Sequence, residues 1–149
     1  MTIRLSSGLC TAVVTNTGLG ACMQYGHVRI YGGTQPLTAD APPASTLLAR
    51  VSADGITPVP GTSTGGLELQ GGAYPGELVL RGNWVIKGLS TGVPMWWRFV
   101  ANAFDNDTSS PYLYRIDGEV GESLVLGTNT ITPATSLVVA SFNLIFPPY

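Results

Sequence analysis

Residues 95–101 of the chain read Met95-Trp96-Trp97-Arg98-Phe99-Val100-Ala101. Aromatic and β-branched residues favour strands, so the stretch predicts a β-strand whose successive side chains point to opposite faces. The odd-numbered positions are all apolar, and the even-numbered ones hold Trp96 and Val100 beside the single charge of Arg98. A strand with one face in water alternates apolar and polar residues, so both faces of this one are expected to be covered. A loop, the N-terminal segment or a neighbouring subunit can supply the second cover.

Further short runs of apolar or alternating residues lie before and after this strand. They are His27–Tyr31, Thr46–Val51, Leu67–Gln70, Glu77–Arg81, Asn83–Lys87, Tyr112–Ile116, Ser123–Leu126 and Ser136–Phe146. Turn residues separate them, since 19 Gly and 11 Pro are spread along the chain. Such spacing is typical of a β-sandwich or barrel. We therefore expect an all-β fold, an antiparallel β-sandwich with jelly-roll-like connections.

The N-terminal segment differs from the rest of the chain. Leu9, Ala12 and Val13 follow one another at helical spacing, and Ser6 or Ser7 stands where a helix N-cap is expected. We expect residues 1–25 to form a short helical or irregular arm and residues 26–149 the sandwich. A chain of 149 residues suits one domain, here 1–149.

Charge is scarce in this sequence. Charged residues make up 11% of the chain, against about 25% in typical globular domains. Either Ser, Thr and Asn solvate the surface, or part of it is buried against other chains, because charge depletion marks interface cores. The second alternative predicts a homo-oligomer or a stable partner.

The sequence favours neither nucleic acid nor membrane as a partner. The net charge is −2 and the seven Lys and Arg are scattered singly, whereas phosphate-binding surfaces are basic. No stretch reaches the roughly 18 apolar residues of a membrane span, and the N-terminus does not resemble a signal peptide. We expect the protein to stay in the cytoplasm of the cell that makes it, or in what assembles there.

Residues that carry chemistry are few, and each has a simpler structural interpretation. His27 begins a strand; the oxygen donors of 105–108 resemble part of a calcium site but fit Asx turns. The Asp117-Gly118-Glu119 triplet has two carboxylates of the kind used in glycoside hydrolysis, yet Asp-Gly also favours a turn. Cys10 and Cys22 fit no metal or redox motif; a disulfide between them is possible, but buried free thiols are the expectation. We predict no catalytic residue, no cofactor and no metal.

Charged and aromatic residues within the strands yield the predicted contact surface. Arg98 and Arg115 lie mid-strand, where an unpaired buried charge is costly, so each should reach solvent or pair with Asp117 or Glu119. Burial in the core or at an interface is the commoner fate of the three tryptophans, although they could also stack on a sugar. The predicted interface residues are Trp96, Trp97, Arg98, Phe146 and Tyr149.

The C-terminus is expected to be a paired, buried strand through Phe146, because Leu144, Ile145 and Phe146 each contribute about 1.5–3 kcal/mol when buried. Pro147 cannot donate a backbone hydrogen bond, so pairing should stop there.

Several stretches of the chain together resemble a group of small proteins. They are Arg4–Leu9, Arg29–Pro36, Ala39–Ala41, Thr46–Ala49, Gly82–Ala101, Tyr114–Gly121 and Ala140–Phe142. In this combination the chain resembles small virion structural proteins of tailed bacteriophages and prophages. The doubled aromatic at Trp96-Trp97 and the Pro-Pro-Tyr terminus depart from that pattern.

The resemblance implies a non-enzymatic role in the virion, with the major capsid protein or the tail and connector proteins as partners. The first expectation is a capsid decoration protein that stabilises the head. A minor tail, collar or head–tail connection protein is the alternative within this class. From another class, the tryptophans leave open a carbohydrate-binding adhesion module.

Overall fold

The computed structural model describes residues 3–15 and 17–146. Within these ranges the chain is mostly β, with two short helices near the N-terminus. The helices are α1 (Ser7–Thr15) and α2 (Leu19–Met23). The strands are β1 (Arg4–Leu5), β2 (His27–Tyr31), β3 (Leu47–Ala53), β4 (Glu68–Gly71), β5 (Glu77–Arg81), β6 (Trp84–Gly88), β7 (Trp96–Val100), β8 (Arg115–Glu119), β9 (Leu124–Val125), β10 (Ser136–Val138) and β11 (Ser141–Ile145).

The strands form two antiparallel sheets. The large sheet has seven strands in the order β1-β8-β7-β2-β3-β6-β10, and the small sheet has four in the order β4-β5-β11-β9. The expected all-β, β-sandwich-like class is thereby confirmed. Neither helix in the described ranges is long and apolar enough to cross a membrane.

Aromatic packing between the sheets centres on Phe142 of the small sheet. Its ring lies 4.9 Å from the Trp84 ring, 5.5 Å from Trp97 and 5.9 Å from Phe99, all three on the large sheet. Aromatic pairs at these separations are worth about 0.5–1.5 kcal/mol each beyond area burial. The face of the large sheet that meets Phe142 is its inner face.

The N-terminal segment packs into this core. Ser6 caps α1 as predicted, since its Oγ accepts the Leu9 N–H at 3.3 Å, and Leu9 and Met23 are fully buried in the core. Strand β1, which the sequence pattern did not predict, pairs with β8 and places Arg4 opposite Asp117. The segment thus completes one edge of the large sheet.

The predicted strand Tyr112–Ile116 begins and ends three residues too early. Strand β8 runs over Arg115–Glu119, so Asp117-Gly118 lies inside a strand, and the predicted turn there is wrong. Asp117 pairs in register with Arg98, and a Cβ on Gly118 would meet the Trp97 indole at 2.5 Å. Gly118 is therefore a site of close packing against a large aromatic.

The predicted strand Ser136–Phe146 is two strands in two sheets. Strand β10 pairs with β6 in the large sheet, whereas β11 pairs with β5 and β9 in the small one. A chain that crosses from one sheet to the other needs apolar residues on changing faces, which explains the two-sided apolarity. Strand β11 ends at Ile145, but the Phe146 N–H still donates to the Gly76 carbonyl at 3.0 Å, so the predicted pairing through Phe146 is confirmed. The predicted burial is wrong for Ile145, which is 47% exposed, and only partial for Phe146. The predicted stop at Pro147 lies outside the described residues.

Two loops cover the outer face of β7, the face turned away from the small sheet. They are loop 32–46, between β2 and β3, and loop 101–114, between β7 and β8. The two loops are joined where the Ser110 N–H donates to the Asp40 carbonyl at 3.0 Å. The sequence left open whether a loop, the N-terminal segment or a neighbouring subunit covers the second face of this strand. In the folded chain, its own two loops cover the outer face of β7.

Candidate functional site

Six charged residues lie between the outer face of the large sheet and the two loops. This arginine–aspartate cluster comprises Arg29, Arg98, Arg115, Asp105, Asp107 and Asp117. The three guanidinium groups balance the three carboxylates in formal charge. Arg98, Arg115 and Asp117 are fully buried, and buried charges of this kind persist only when they are paired and hydrogen-bonded.

Arg98 binds Asp117 on the neighbouring strand through both carboxylate oxygens. Its Nε and Nη2 donate to Oδ1 and Oδ2 at 2.8 Å each. The same side chain reaches both loops, because Nη2 also donates to the Ala41 carbonyl at 2.9 Å and Nη1 to Asp107 at 3.2 Å. The predicted pairing of Arg98 with Asp117 is confirmed, and it ties strand β8 to the loops.

Arg115 forms a second two-pronged pair, with Asp105 of loop 101–114. Both contacts are 2.7 Å long, and Nη2 also donates to the Thr108 carbonyl at 2.8 Å. Burial raises the pKa of the Asp105 carboxyl, but the hydrogen bonds from Arg115 and from the Asp107 N–H outweigh it, so the pKa lies below its usual value. The predicted partners Asp117 and Glu119 are wrong for Arg115: Asp117 binds Arg98, and Glu119 is exposed.

Arg29 completes the cluster from strand β2. It pairs with Asp107 at 3.0 Å, and its Nε donates to His27 Nε2 at 3.2 Å. Tyr31 also donates its hydroxyl to Asp107. Burial, reinforced by the nearby Arg29 and Arg50, lowers the pKa of His27 to about 3. His27 is therefore a neutral hydrogen-bond acceptor in the folded protein.

The loop 105–108 is organised as an Asx turn, as the simpler interpretation of the sequence predicted. The Asp105 carboxylate accepts the Asp107 N–H at 2.8 Å. Both aspartates also bind arginines of the sheet. No group of carboxylates, histidines or cysteines suited to a metal is found in residues 3–15 and 17–146.

Three of the predicted interface residues are misassigned. Trp96, Trp97 and Arg98 each have 0% exposed surface, so none can contact another molecule in this conformation. Trp97 lies in the aromatic core, and Trp96 stacks on Tyr31 with ring centroids 4.3 Å apart. Trp84 is enclosed as well, so the three tryptophans form no sugar-stacking surface. The aromatic pattern predicted burial correctly but could not say whether the cover was internal.

The other predicted residues have mixed outcomes. Phe146 is half-buried and borders an apolar groove of about 460 Å³ lined also by Leu5, Val13, Leu19 and Leu78. Tyr149 lies outside the described residues. Cys10 and Cys22 are both free, as expected, but Cys10 is exposed rather than buried.

Three large apolar side chains that no sequence pattern marked are exposed on the two loops. Leu37 is 87% exposed, Tyr112 83% and Phe104 76%. All three belong to loops whose backbones the arginine–aspartate cluster holds against the sheet. Local pattern could not mark them, because single apolar residues in loops are common on protein surfaces.

The fold and the cluster together define a mostly β, two-sheet protein whose large sheet carries two anchored loops. Comparison of the chain with protein-family models, with curated protein sequences and with solved structures gave no match.

Proposed function

We propose that this protein is a non-enzymatic structural component of a tailed-phage particle, and in the first place a capsid decoration protein. The sequence stretches that resemble small virion proteins suggest the class. The observation that carries the proposal is the exposure of Leu37, Phe104 and Tyr112 on the two anchored loops. Exposed apolar side chains on loops with fixed backbones lose little conformational entropy on binding, which suits permanent assembly.

The arginine–aspartate cluster has a supporting role in this proposal. Its guanidinium groups bind main-chain carbonyls of both loops, Ala41 in one and Thr108 in the other. The loops would therefore present the same surface before and after assembly. We include in this proposal jelly-roll-like connections between the strands. We also include self-association or binding to the major capsid protein, which the low charge content of the chain favours.

A role at the collar, tail or head–tail junction is the second candidate within this class. The same loop surface suits either location in the particle. It predicts that the protein binds a neighbouring virion protein, but it does not predict how many copies each particle contains. The alternative of a carbohydrate-binding module depended on the tryptophans, which are enclosed.

Quantitative mass spectrometry of purified particles from the strain that encodes this chain tests the proposal. A decoration protein should be present in hundreds of copies, and a collar or tail protein in a few to tens. Absence of the chain from the particles would refute both candidates.

A loop variant tests the proposed surface. The double substitution Leu37→Ser and Tyr112→Ser should leave the folded protein intact and strip it from the particles. Tyr74→Ser is the matched control, since Tyr74 is also exposed but lies between β4 and β5 of the small sheet. Equal incorporation of the double variant and of Tyr74→Ser into the particles would mean that the loops are not the surface that contacts the particle.

A further inference from the structure

A row of charged residues crosses the outer face of the large sheet. Each residue pairs in register with the next on the adjacent strand, in the order Lys87, Arg50, Arg29, Arg98, Asp117 and Arg4. Residues directly opposite on antiparallel strands point to the same face with Cβ atoms about 4.5–5.5 Å apart. Four consecutive members of the row are therefore cations.

The two halves of the row are compensated differently. Arg29 and Arg98 are neutralised by aspartates of loop 101–114 and strand β8. Arg50 and Lys87 form no ion pair with any residue of the described ranges. Like charges directly opposite one another on a sheet are destabilising, so this half of the row lacks a counter-charge.

The side chain of Arg50 shows the same deficit at the level of hydrogen bonds. Its Nε is enclosed by the protein and has no hydrogen-bond partner, although buried donors are satisfied in most proteins by protein atoms, water or an ion. Lys87 is exposed, and Ser136 Oγ accepts from its Nζ at 2.8 Å. A guanidinium fork, an ammonium group and a hydroxyl thus lie beside one another on strands β3, β6 and β10.

We propose that Arg50 and Lys87 form a binding site for a dianionic oxyanion, a phosphate or sulfate group. Two adjacent cations match two negative charges, and a guanidinium accommodates such a group through paired hydrogen bonds. Ser136 supplies a hydroxyl at the edge of the site. The site lies in the part of the row that forms no ion pair in the described residues, and it does not depend on the proposed virion role.

Titration of the intact protein with inorganic phosphate and with sulfate, at constant ionic strength, tests this site. The readouts are the NMR shift of the Arg50 Nε–H and the thermal unfolding temperature, which rises when a ligand binds only the folded state. We expect saturable binding that weakens about tenfold or more in Arg50→Gln and in Lys87→Gln. Arg81→Gln is the matched control, because Arg81 lies on strand β5 of the small sheet and pairs with Glu68.

Further probes sharpen the ligand class. Acetate, a monoanion, should bind more weakly than phosphate, and equal binding would contradict a dianion site. Phenyl phosphate tests the source: binding comparable to that of phosphate supports a phosphorylated molecule as the ligand, and weaker binding supports a free anion. Retention of phosphate binding in Arg50→Gln, or a response that does not saturate in any variant, would overturn the proposal.

Discussion

The two halves of the charged row differ in what lies over them. Over strands β2, β7 and β8 the arginines are paired with aspartates and covered by loops 32–46 and 101–114, and Arg98 is fully buried. Over strands β3 and β6, Arg50 is half-buried and Lys87 exposed, without an ionic partner in the described residues. Basic residues in register on the same sheet therefore differ: those beneath the loops are paired with aspartates, and those on β3 and β6 are not paired within the described residues.

The largest loss in the free energy of unfolding should follow the removal of an ion pair beneath the loops, in the half of the row on strands β2, β7 and β8. Arg98→Met leaves the fully buried Asp117 without its two hydrogen bonds, and removal of one partner of a buried pair costs about 3–5 kcal/mol. Urea unfolding should show that loss in the free energy of unfolding. The double variant Arg98→Met with Asp117→Leu should recover most of it, because no buried charge then lacks a partner. A loss below about 1 kcal/mol in the single variant would mean that water enters the cluster.

A smaller loss of stability is expected when a substitution displaces β8, the strand that carries Asp117. A Cβ in Gly118→Ala would meet the Trp97 indole at 2.5 Å and Ile3 at 2.7 Å, and such overpacking typically costs about 1–3 kcal/mol. Gly71→Ala serves as the control, since nothing lies within 4 Å of its Cβ position. Calorimetry should show a lower unfolding temperature for Gly118→Ala alone.

The pH dependence of stability tests the boundary between the halves, where His27 contacts Arg29. The folded pKa of His27 is about 3 against an ordinary 6.5, so between these values the unfolded chain binds a proton that the folded one does not. Stability should therefore fall as pH decreases below 6.5, by at most about 1.4 kcal/mol per pH unit. His27→Gln should flatten this slope in urea unfolding between about pH 5 and pH 6.5. An unchanged slope in the variant would assign the proton uptake to another group.

The smallest change in the free energy of unfolding, and one of opposite sign, is expected in the half of the row on strands β3 and β6. Arg50→Gln removes a cation that faces Arg29 and Lys87 across the strands, and like-charge pairs destabilise by about 0.2–1 kcal/mol. At low salt without phosphate or sulfate the variant should be as stable as the parent or slightly more stable, and added salt should erase the difference. A loss comparable to that of Arg98→Met would show that both halves are structural.

The comparison also shows why part of the site was predictable. Arg98 stands among apolar residues in a strand, so its need for a carboxylate followed from the cost of an unpaired buried charge. Asp117 and Glu119 were the named candidates, two and four residues beyond Arg115 in the chain, and Asp117 is the partner of Arg98. Asp105 was not found as the partner of Arg115, since an Asx turn explained it locally, and Arg29 carried the same mid-strand signal as Arg98 but was not used.

Met95, which belongs to the predicted strand 95–101, lies outside β7 and is 51% exposed. From the sequence alone one can predict the all-β class, most strand positions, a serine N-cap at Ser6 or Ser7 and the enclosure of Trp96–Val100 on both faces. These features depend on the local alternation of side chains and on turn residues, which a single chain displays in order. Three outcomes could be seen only in the folded chain: which sheet receives each half of residues 136–146, that Asp117-Gly118 continues a strand, and which aspartate binds which arginine. Those outcomes depend on contacts between residues far apart in sequence, and local periodicity carries no information about such partners.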